Sequence, residues 1–325
     1  MLVSVVTTMY RSSSYLDEFY QRVVAAVSPI SPEIEFVFVD DGSPDDSAAV
    51  ARGFLSRGEH VSVVRLSRNF GHHRAIMTGL QFARGDLVFL IDCDLEEPPE
   101  LFGPLHEKLR EAGPAGEAAD VAYAVPVKRK GGFFERVSGA VFYKLFNLLS
   151  DVKVPANWMI ARLMTRRYVQ ALLSHTEREL FLGGLFCITG FRQVGITAEK
   201  AHKGSTAWTF RRKLHVAISS LAAFSARPLW YLAGLGILVS TFSAAAIVYL
   251  LIRILLFGFD YQSGWASTIV TISFFGGLNV LAIGVAGLYI AQIFTEVKRR
   301  PCIVMEVHSN FAEHLRPPGP SHAGT

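Results

Sequence analysis

The chain has 325 residues, of which half are hydrophobic and 18% are charged, and its formal net charge is +4. This length exceeds that of one average domain, and the positive mean hydropathy indicates that part of the chain lies in lipid. The small net charge and the lack of a recognisable nucleic-acid-binding module argue against a nucleic-acid partner. Three scattered cysteines, Cys93, Cys187 and Cys302, have no metal-type spacing and fit a reducing compartment.

The first third of the chain alternates between two patterns. Short apolar or β-branched runs predict strands at 2–8, 34–40, 61–66 and 87–92. Residues with helical periodicity between them predict helices at 15–27, 46–57 and 73–84. Nearly continuous apolar strands that alternate with helices are typical of an α/β domain whose mostly parallel sheet is covered on both faces.

Polar segments follow all four predicted strands, with the sequences TTMY at 7–10, DDGS at 40–43, RNFG at 68–71 and DCD at 92–94. The carboxyl ends of parallel strands lie at one edge of a sheet, where α/β proteins bind their ligands. We therefore expect these four segments to line one site.

The fourth segment belongs to an acidic sequence, DCDLEEPPE at 92–100, that holds five carboxylates. Asp92 and Asp94, separated by one residue after a strand, can direct their oxygens at one divalent cation, and Glu96 can add a further donor. Mg²⁺ and Mn²⁺ prefer oxygen ligands and bind few protein carboxylates together with substrate phosphates. Paired acids before a glycine, at Asp40 and Asp41, suit recognition of a ribose and base. The dinucleotide-binding and P-loop glycine motifs do not occur in the sequence.

A cationic run follows a fifth predicted strand at 121–125. It contains Lys128, Arg129 and Lys130, with Arg136 further on, and the planar arginine side chain suits a phosphate. An ordinary basic patch that faces lipid headgroups would have the same composition. Apolar residues at helical spacing then predict an amphipathic helix at 133–149, which lies in the membrane interface or packs on the α/β domain.

Two long apolar segments, 229–257 and 265–294, each exceed the ~20 residues that cross a hydrocarbon core. Basic residues precede the first segment and follow the second, whereas their connection has none, so both ends are predicted to face the cytoplasm. A juxtamembrane amphipathic helix is predicted at 211–228. The N-terminal residues lack a basic region and a cleavage site, so no signal peptide is predicted.

These motifs occur in an order that resembles a known family. VDDGS at 39–43, LSRNFGHHRA at 66–75, GDLVFLIDCDLEEPPE at 85–100, the two apolar segments and FTEVKRRP at 294–301 are similar to the polyisoprenyl-phosphate group of family 2 glycosyltransferases. The resemblance extends to about Val304. It implies a GT-A catalytic domain that transfers a sugar, with inversion, from a nucleotide-sugar to a lipid phosphate held in the membrane. It also implies a homotetramer, and it favours a UDP or dTDP donor over a GDP donor without excluding the latter.

The resemblance assigns roles to the polar segments. The metal and diphosphate positions are Asp92, Asp94 and Glu96. The nucleotide-sugar pocket comprises Thr8, Tyr10, Asp40, Asp41, Arg68, Gly71 and Asp92. His72 is added to this pocket because it can donate to the diphosphate, although a loop histidine can also be structural or solvated. The candidates for the acceptor phosphate are Arg129 and Arg136, from the chemistry of the cationic run, and Arg162, which matches the family pattern although an arginine there can also be structural. The predicted catalytic residues are Asp92, Asp94 and Arg129.

One segment departs from the family pattern. Relatives carry an acidic Gly-Asp-Phe sequence before Arg-Leu-Met, whereas the residues from Asn157 to Ala161 hold no carboxylate before Arg162. The identity of the sugar therefore stays open, and a catalytically silent membrane protein that binds a nucleotide-sugar is an alternative. A processive polysaccharide synthase is a second alternative, although the Gln-x-x-Arg-Trp motif and the additional spans of that class do not occur in the sequence.

The sequence thus predicts a multi-pass enzyme of the bacterial plasma membrane. It would use Mg²⁺ or Mn²⁺ to transfer a sugar to polyprenyl phosphate, with undecaprenyl as the expected chain, at the cytoplasmic face for cell-envelope glycans. The predicted organisation is a GT-A domain at 1–210, the juxtamembrane helix at 211–228, two transmembrane helices at 229–294 and a cytoplasmic tail at 295–325.

Overall fold

The computed structural model describes residues 1–57, 60–113, 116–127, 159–177, 182–199, 227–257 and 264–310. Over these ranges the chain forms two compact units. The first unit contains one β-sheet with the helices that cover it, and the second contains two long helices.

The strands of the first unit are β1 (Leu2–Met9), β2 (Glu33–Asp40), β3 (His60–Leu66), β4 (Leu87–Leu90), β5 (Val121–Pro126), β6 (Arg162–Thr165), β7 (Gln193–Ala198) and β8 (Val304–Ser309). Its helices are α1 (Leu16–Val27), α2 (Ser47–Gly53), α3 (His72–Phe82), α4 (Phe102–Arg110), α5 (Arg166–Leu173) and α6 (Leu182–Ile188), with 3₁₀ turns at Phe54–Ser56 and Pro99–Leu101. The second unit contains α7 (Arg227–Phe257) and α8 (Trp265–Lys298).

The strand order in the sheet is β7-β5-β6-β4-β1-β2-β3-β8. Strands β4, β1, β2 and β3 are parallel, whereas β6 and β8 run antiparallel to β4 and β3. The chain adds β2 and β3 on one side of β1 and then returns to add β4 on the other side, so a topological switch point lies between β1 and β4. The prediction of a mostly parallel α/β sheet is confirmed.

Both faces of the parallel strands are buried, which explains their nearly continuous apolar sequences. On one face, the ring of Tyr20 in α1 lies 4.8 Å from that of Phe36 in β2 and 4.6 Å from that of Phe54. On the other face, α3 approaches so closely that a Cβ atom on Gly79 would lie 2.6 Å from Cγ1 of Val6. Two layers of helices therefore hold the strand ends that carry the site.

The predicted elements differ from the observed ones mainly at their ends. Strand β4 ends at Leu90 rather than at Asp92, and Leu90 is also where its neighbour β6 begins to pair, opposite Arg162. The predicted helix at 46–57 divides into α2 and a 3₁₀ turn after Gly53, a residue that destabilises a helix interior.

The segment predicted to be a cytoplasmic tail contains a strand that was not predicted from the sequence. Residues Val304–Ser309 form β8, which pairs antiparallel with β3 and places the hydroxyl groups of Ser62 and Ser309 2.9 Å apart. This strand covers the edge of β3, whose backbone groups would otherwise be unpaired on that side. Such pairing between distant segments is not visible in a six-residue sequence pattern.

Helices α7 and α8 coincide with the two segments predicted to cross a membrane. Within the described ranges, one stretch, Phe274–Lys298, is long and apolar enough to do so, and Leu229–Ser243 is a shorter apolar stretch. One candidate span is therefore found, and the second crossing stays a prediction. The predicted helix at 133–149 and residues 211–226 of the juxtamembrane segment lie outside the described residues.

Candidate active site

The site forms where β1, β4 and α3 meet at the switch point. Oγ1 of Thr8, in β1, lies 3.0 Å from Nδ1 of His72, the first residue of α3. Nε2 of the same imidazole lies 3.4 Å from Oδ1 of Asp92, just after β4. The side chain of His72 is 41% exposed, and the desolvation of its protein-facing side lowers its pKa, while Asp41 and Asp94 oppose this shift. The structure thus brings together three residues that the sequence assigned to the nucleotide-sugar pocket.

Asp41 acts on the backbone of the loop that precedes α3. Its Oδ1 accepts a hydrogen bond from the amide of Phe70 at 2.7 Å, and its Oδ2 accepts one from the amide of Gly71 at 3.0 Å. The residue is buried, and this burial raises its pKa against the opposing effect of the two amides. Because both oxygens bind backbone amides, the observed contribution of Asp41 is to hold this loop beside the site.

Asp40 is completely buried at the end of β2. Its Oδ1 accepts a hydrogen bond from the amide of Ser43 at 2.8 Å, and its Oδ2 lies 3.3 Å from Nε of Arg65. Burial raises the pKa of Asp40, while the Ser43 amide and Arg65 oppose the shift. Gly42, between Asp40 and Ser43 in the chain, has a φ of +64°. A Cβ atom at this position would lie 2.5 Å from the carbonyl carbon of Arg68. The loops after β2 and β3 therefore touch through backbone atoms.

Tyr10 and Arg68 lie at the outer rim of these loops. Tyr10 is 45% exposed, and the guanidinium of Arg11 lies 5.7 Å from its ring centroid. The guanidinium of Arg68 lies 4.2 Å from the ring of Phe70. These groups offer an exposed aromatic face and cationic charge beside the site.

Asp45 holds the loops after β1 and β2 together, and sequence reasoning missed it. Its carboxylate accepts hydrogen bonds from the hydroxyl of Ser47 at 2.6 Å, the amide of Ser13 at 3.2 Å and the hydroxyl of Ser43. Burial would raise its pKa, but these hydrogen bonds outweigh burial and hold the pKa well below its usual range. An Asp two residues before a Ser at a helix start is a local signal that could have identified it.

The acidic sequence divides into two groups in space. Asp92, Asp94 and Glu96 are each partly exposed at the sheet edge, which is where the sequence placed the metal and diphosphate positions. The amide of Glu96 donates to Oδ1 of Asp94 at 3.1 Å, and Leu95 between them has a φ of +60°. Asp94 and Glu96 therefore belong to one tight turn that follows β4.

The other two carboxylates have structural partners. Glu97 is 1% exposed and accepts hydrogen bonds from the amides of Ile160 and Ala161. Glu100 lies on the surface, where Arg22 donates to both of its oxygens at 2.9 and 2.8 Å. The five carboxylates of the acidic sequence therefore have different surroundings. Three are partly exposed at the sheet edge, Glu97 is buried against backbone amides, and Glu100 pairs with Arg22 on the surface.

Arg162, a predicted contact of the acceptor phosphate, is buried in β6 with 2% exposure. Its Nε and Nη2 donate to the carbonyls of Ile160 and Met159, each at 3.3 Å, and the guanidinium lies 3.3 Å from the ring centroid of Phe186. Burial lowers its pKa to about 10. A direct contact with phosphate stays a prediction for this residue, and the predicted cations Arg129 and Arg136 lie outside the described residues.

The donor set at the sheet edge fits a hard divalent cation. Among the described residues, no group of three His, Cys, Asp or Glu side chains surrounds one point. A cation that binds one or two carboxylates and completes its shell with diphosphate oxygens requires no such group. Asp92 and Asp94 are partly exposed oxygen donors at the site, with Glu96 nearby, and so they suit this mode of binding.

A site at the switch point, with acidic donors and a helix that begins at its edge, is typical of α/β domains that bind their ligands at the strand ends. Residues 4–173 match glycosyl transferase family 2, which covers more than half of the chain. The protein belongs to this family and is a glycosyltransferase.

Relatives along nearly the whole chain agree with this assignment. A Mycobacterium tuberculosis (strain CDC 1551 / Oshkosh) protein named as a glycosyltransferase is 44% identical, over 94% of this chain and 87% of the relative. The SfII prophage-derived bactoprenol glucosyl transferase of Shigella flexneri is 31% identical, over 94% of this chain and 98% of the relative. A mannosyltransferase from Pyrobaculum calidifontis, solved with GDP-Man and Mn²⁺, is 15% identical over 92% of this chain and 88% of that one, with a TM-score of 0.46. This last likeness is too slight to inform on ligands.

Proposed function

We propose that this protein transfers a sugar, with inversion, from a nucleotide-sugar to a polyprenyl phosphate at the membrane surface. The observation that carries the proposal is the junction of Thr8, His72 and Asp92 at the switch point, directly before the acidic turn that holds Asp94 and Glu96. The Shigella relative, whose name gives bactoprenol as its acceptor and glucose as its sugar, supports a polyprenyl acceptor and makes UDP-glucose the first donor to test.

Asp92 and Asp94, with Glu96, would hold Mg²⁺ or Mn²⁺ in this proposal. When bound, the cation neutralises the negative charge of the departing diphosphate. In this proposal the exposed ring of Tyr10 would stack on the base, and His72 would donate a hydrogen bond to a phosphate oxygen. UDP and dTDP are the expected carriers.

The acceptor removes the need for a strong general base. A lipid phosphate is already anionic at neutral pH, so its oxygen can attack the anomeric carbon without prior loss of a proton. Cations must then hold and orient this phosphate. We assign that role to Arg129 and Arg136, with Arg162 as a third candidate, because arginine binds phosphate oxygens in pairs.

In this proposal the two helices of the second unit anchor the protein in the membrane that holds the lipid acceptor. Helices α7 and α8 contain 31 and 34 residues, more than the ~20 needed for a crossing, and they expose large apolar side chains such as Leu255 and Ile283. We propose that both cross the plasma membrane, with the catalytic domain and both flanks in the cytoplasm. A homotetramer is part of this proposal and rests on the sequence resemblance alone.

Transfer of labelled glucose from UDP-glucose into organic-extractable lipid tests the proposal in membranes that contain the full chain. We expect EDTA to abolish transfer, Mn²⁺ to restore it, and Asp94→Asn to reduce it about 100-fold, since charge stabilisation at a transition state is worth this much. Glu100→Gln is the matched control, because this carboxylate lies in the same sequence but pairs with Arg22 on the surface. If no donor among UDP-, dTDP- and GDP-sugars labels lipid, or if Asp94→Asn leaves transfer unchanged, the proposed chemistry is wrong.

A further inference from the structure

A buried carboxylate outside the predicted site connects the acidic segment to the residues that precede β6. Glu97 directly follows Glu96, and it is 1% exposed. Its Oε1 accepts a hydrogen bond from the amide of Ile160 at 3.0 Å, and its Oε2 accepts one from the amide of Ala161 at 2.6 Å. One side chain thus binds two consecutive peptide groups that are more than sixty residues away along the chain.

Arg162 holds the same segment from its carbonyl side. Its guanidinium donates to the carbonyls of Met159 and Ile160, and it lies within the influence of the negative charge of Glu97. Phe186 covers the guanidinium at 3.3 Å. The backbone at 159–161 is therefore held by a buried anion on its amides and by a buried cation on its carbonyls.

Two buried charges are costly to desolvate, and they are stable only when hydrogen bonds satisfy them. Glu97 accepts hydrogen bonds from this segment and Arg162 donates hydrogen bonds to it, so the two side chains fix its position with respect to the acidic turn. That turn contains Leu95 at a φ of +60°, a conformation that an L-residue adopts only when its surroundings impose it. β4 anchors one end of the turn and Glu97 anchors the other.

We infer that Glu97 is a positioning residue for the reaction. Together with Arg162 it holds the turn so that Asp94 and Glu96 are arranged in advance for a divalent cation and a diphosphate. Without this anchor the turn must become ordered when the ligand binds, which weakens binding. The inference rests on the proposed function, because it assumes that the acidic turn receives the diphosphate.

The test separates positioning from general stability by measuring the gain in affinity that Mn²⁺ gives. Calorimetry on the full chain in detergent measures binding of UDP, dTDP and GDP, each with and without Mn²⁺. For Glu97→Gln we expect the Mn²⁺-dependent gain to fall by about tenfold or more, with nearly unchanged affinity in the absence of Mn²⁺. Hydrogen exchange should show loss of protection at the amides of Ile160 and Ala161. Glu100→Gln is the control and should match the wild type in both measurements.

Arg162→Lys provides a second variant that keeps the buried positive charge but loses the planar fork. It is expected to reduce the gain in nucleotide affinity from Mn²⁺ in the same way. If Glu97→Gln does not fold, this variant alone tests whether the anchored segment at 159–161 arranges the acidic turn in advance. A folded variant that loses amide protection yet keeps the full gain would overturn the role of Glu97. A wild-type protein that gains no affinity from Mn²⁺ for any of the three nucleotides would instead overturn the proposed function, and with it this inference.

Discussion

Asp41 binds the backbone amide of Gly71, which lies 3.0 Å from its Oδ2, and so ties the end of β2 to the start of α3. An asparagine at this position has one acceptor oxygen and presents N–H groups to an amide donor. We expect Asp41→Asn to lower the free energy of unfolding by about 1–3 kcal/mol, measured by chemical denaturation in detergent. Asp46→Asn is the control, since Asp46 is exposed and caps α2 with no side-chain hydrogen bond. Equal stability of the two variants would contradict this role.

His72 links Thr8 of β1 to Asp92 after β4, and this link orients a predicted metal ligand. Its replacement by asparagine removes a side chain that can reach both partners. We expect kcat/KM for the nucleotide-sugar to fall by about tenfold, as for other residues that orient a metal-binding carboxylate. Steady-state transfer assays measure this, with His73→Asn as the adjacent control. Similar losses in both variants would show that the effect is not specific to His72.

Two glycines make a matched pair for a test of backbone strain. Gly42 has a φ of +64°, and an added Cβ would lie 2.5 Å from the carbonyl carbon of Arg68, whereas a Cβ on Gly103 in α4 would meet no atom within 4 Å. Gly42→Ala is expected to destabilise the protein by about 2 kcal/mol or more, because the left-handed conformation alone costs about 1–2 kcal/mol. Gly103→Ala should be neutral or stabilise by about 0.5 kcal/mol. Thermal unfolding compares the two, and a neutral Gly42→Ala would refute the close contact between the loops.

Asp45 is expected to contribute stability that disappears in acid. Hydrogen bonds from Ser43, Ser47 and Ser13 outweigh burial and hold its pKa below the ordinary value of 3.8. Because the folded pKa lies below the unfolded one, this stabilisation is complete above the unfolded value and is lost as the pH falls through the folded value. The Asp45→Asn variant should therefore have a lower free energy of unfolding than the wild type at neutral pH. Its free energy of unfolding should also fall less steeply as the pH is lowered. Unfolding measured between about pH 3 and pH 7 checks this, and parallel curves would contradict it.

The C-terminal strand is expected to support the site from the sheet edge. Val307 pairs with Val64, and Arg65 beside it lies 3.9 Å from Glu306 and 3.3 Å from Asp40. The amide of Asn310 donates to the carbonyl of Val61. The alternation of an antiparallel ladder therefore makes His308, opposite Val63, the next hydrogen-bonded position, whereas the amide of Val307 faces the free edge. His308→Pro should destabilise the first unit by about 3 kcal/mol, since proline cannot donate in the ladder, and should weaken nucleotide binding because β8 also carries the neighbour of Arg65. Val307→Pro is the control, because proline is tolerated at an edge position whose N–H does not pair. Unfolding and nucleotide titration measure both effects, and a stable His308→Pro variant would mean that β8 is dispensable.

Local patterns were sufficient for much of the fold. Apolar patterns identified β1 to β3 and α1 within a few residues, because strands buried on both faces are almost continuously apolar and a helix buried on one side carries apolar residues at helical spacing. The same patterns did not identify β8, whose partner β3 lies far away in the sequence. They also placed the end of β4 too late, since pairing with β6 determines where that strand stops.

The sequence alone determined which segments meet at the site, because strands that run in parallel bring their carboxyl ends to one edge. It also determined the family, through the order of its motifs. Only the tertiary structure decided what each acid does: Asp92 and Asp94 are partly exposed at the edge, whereas Glu97 is buried against backbone amides and Asp41 holds a loop. The physical reason is that the role of a carboxylate depends on its burial and its hydrogen-bond donors. Distant segments supply those donors, and their identity is not encoded in the neighbouring residues.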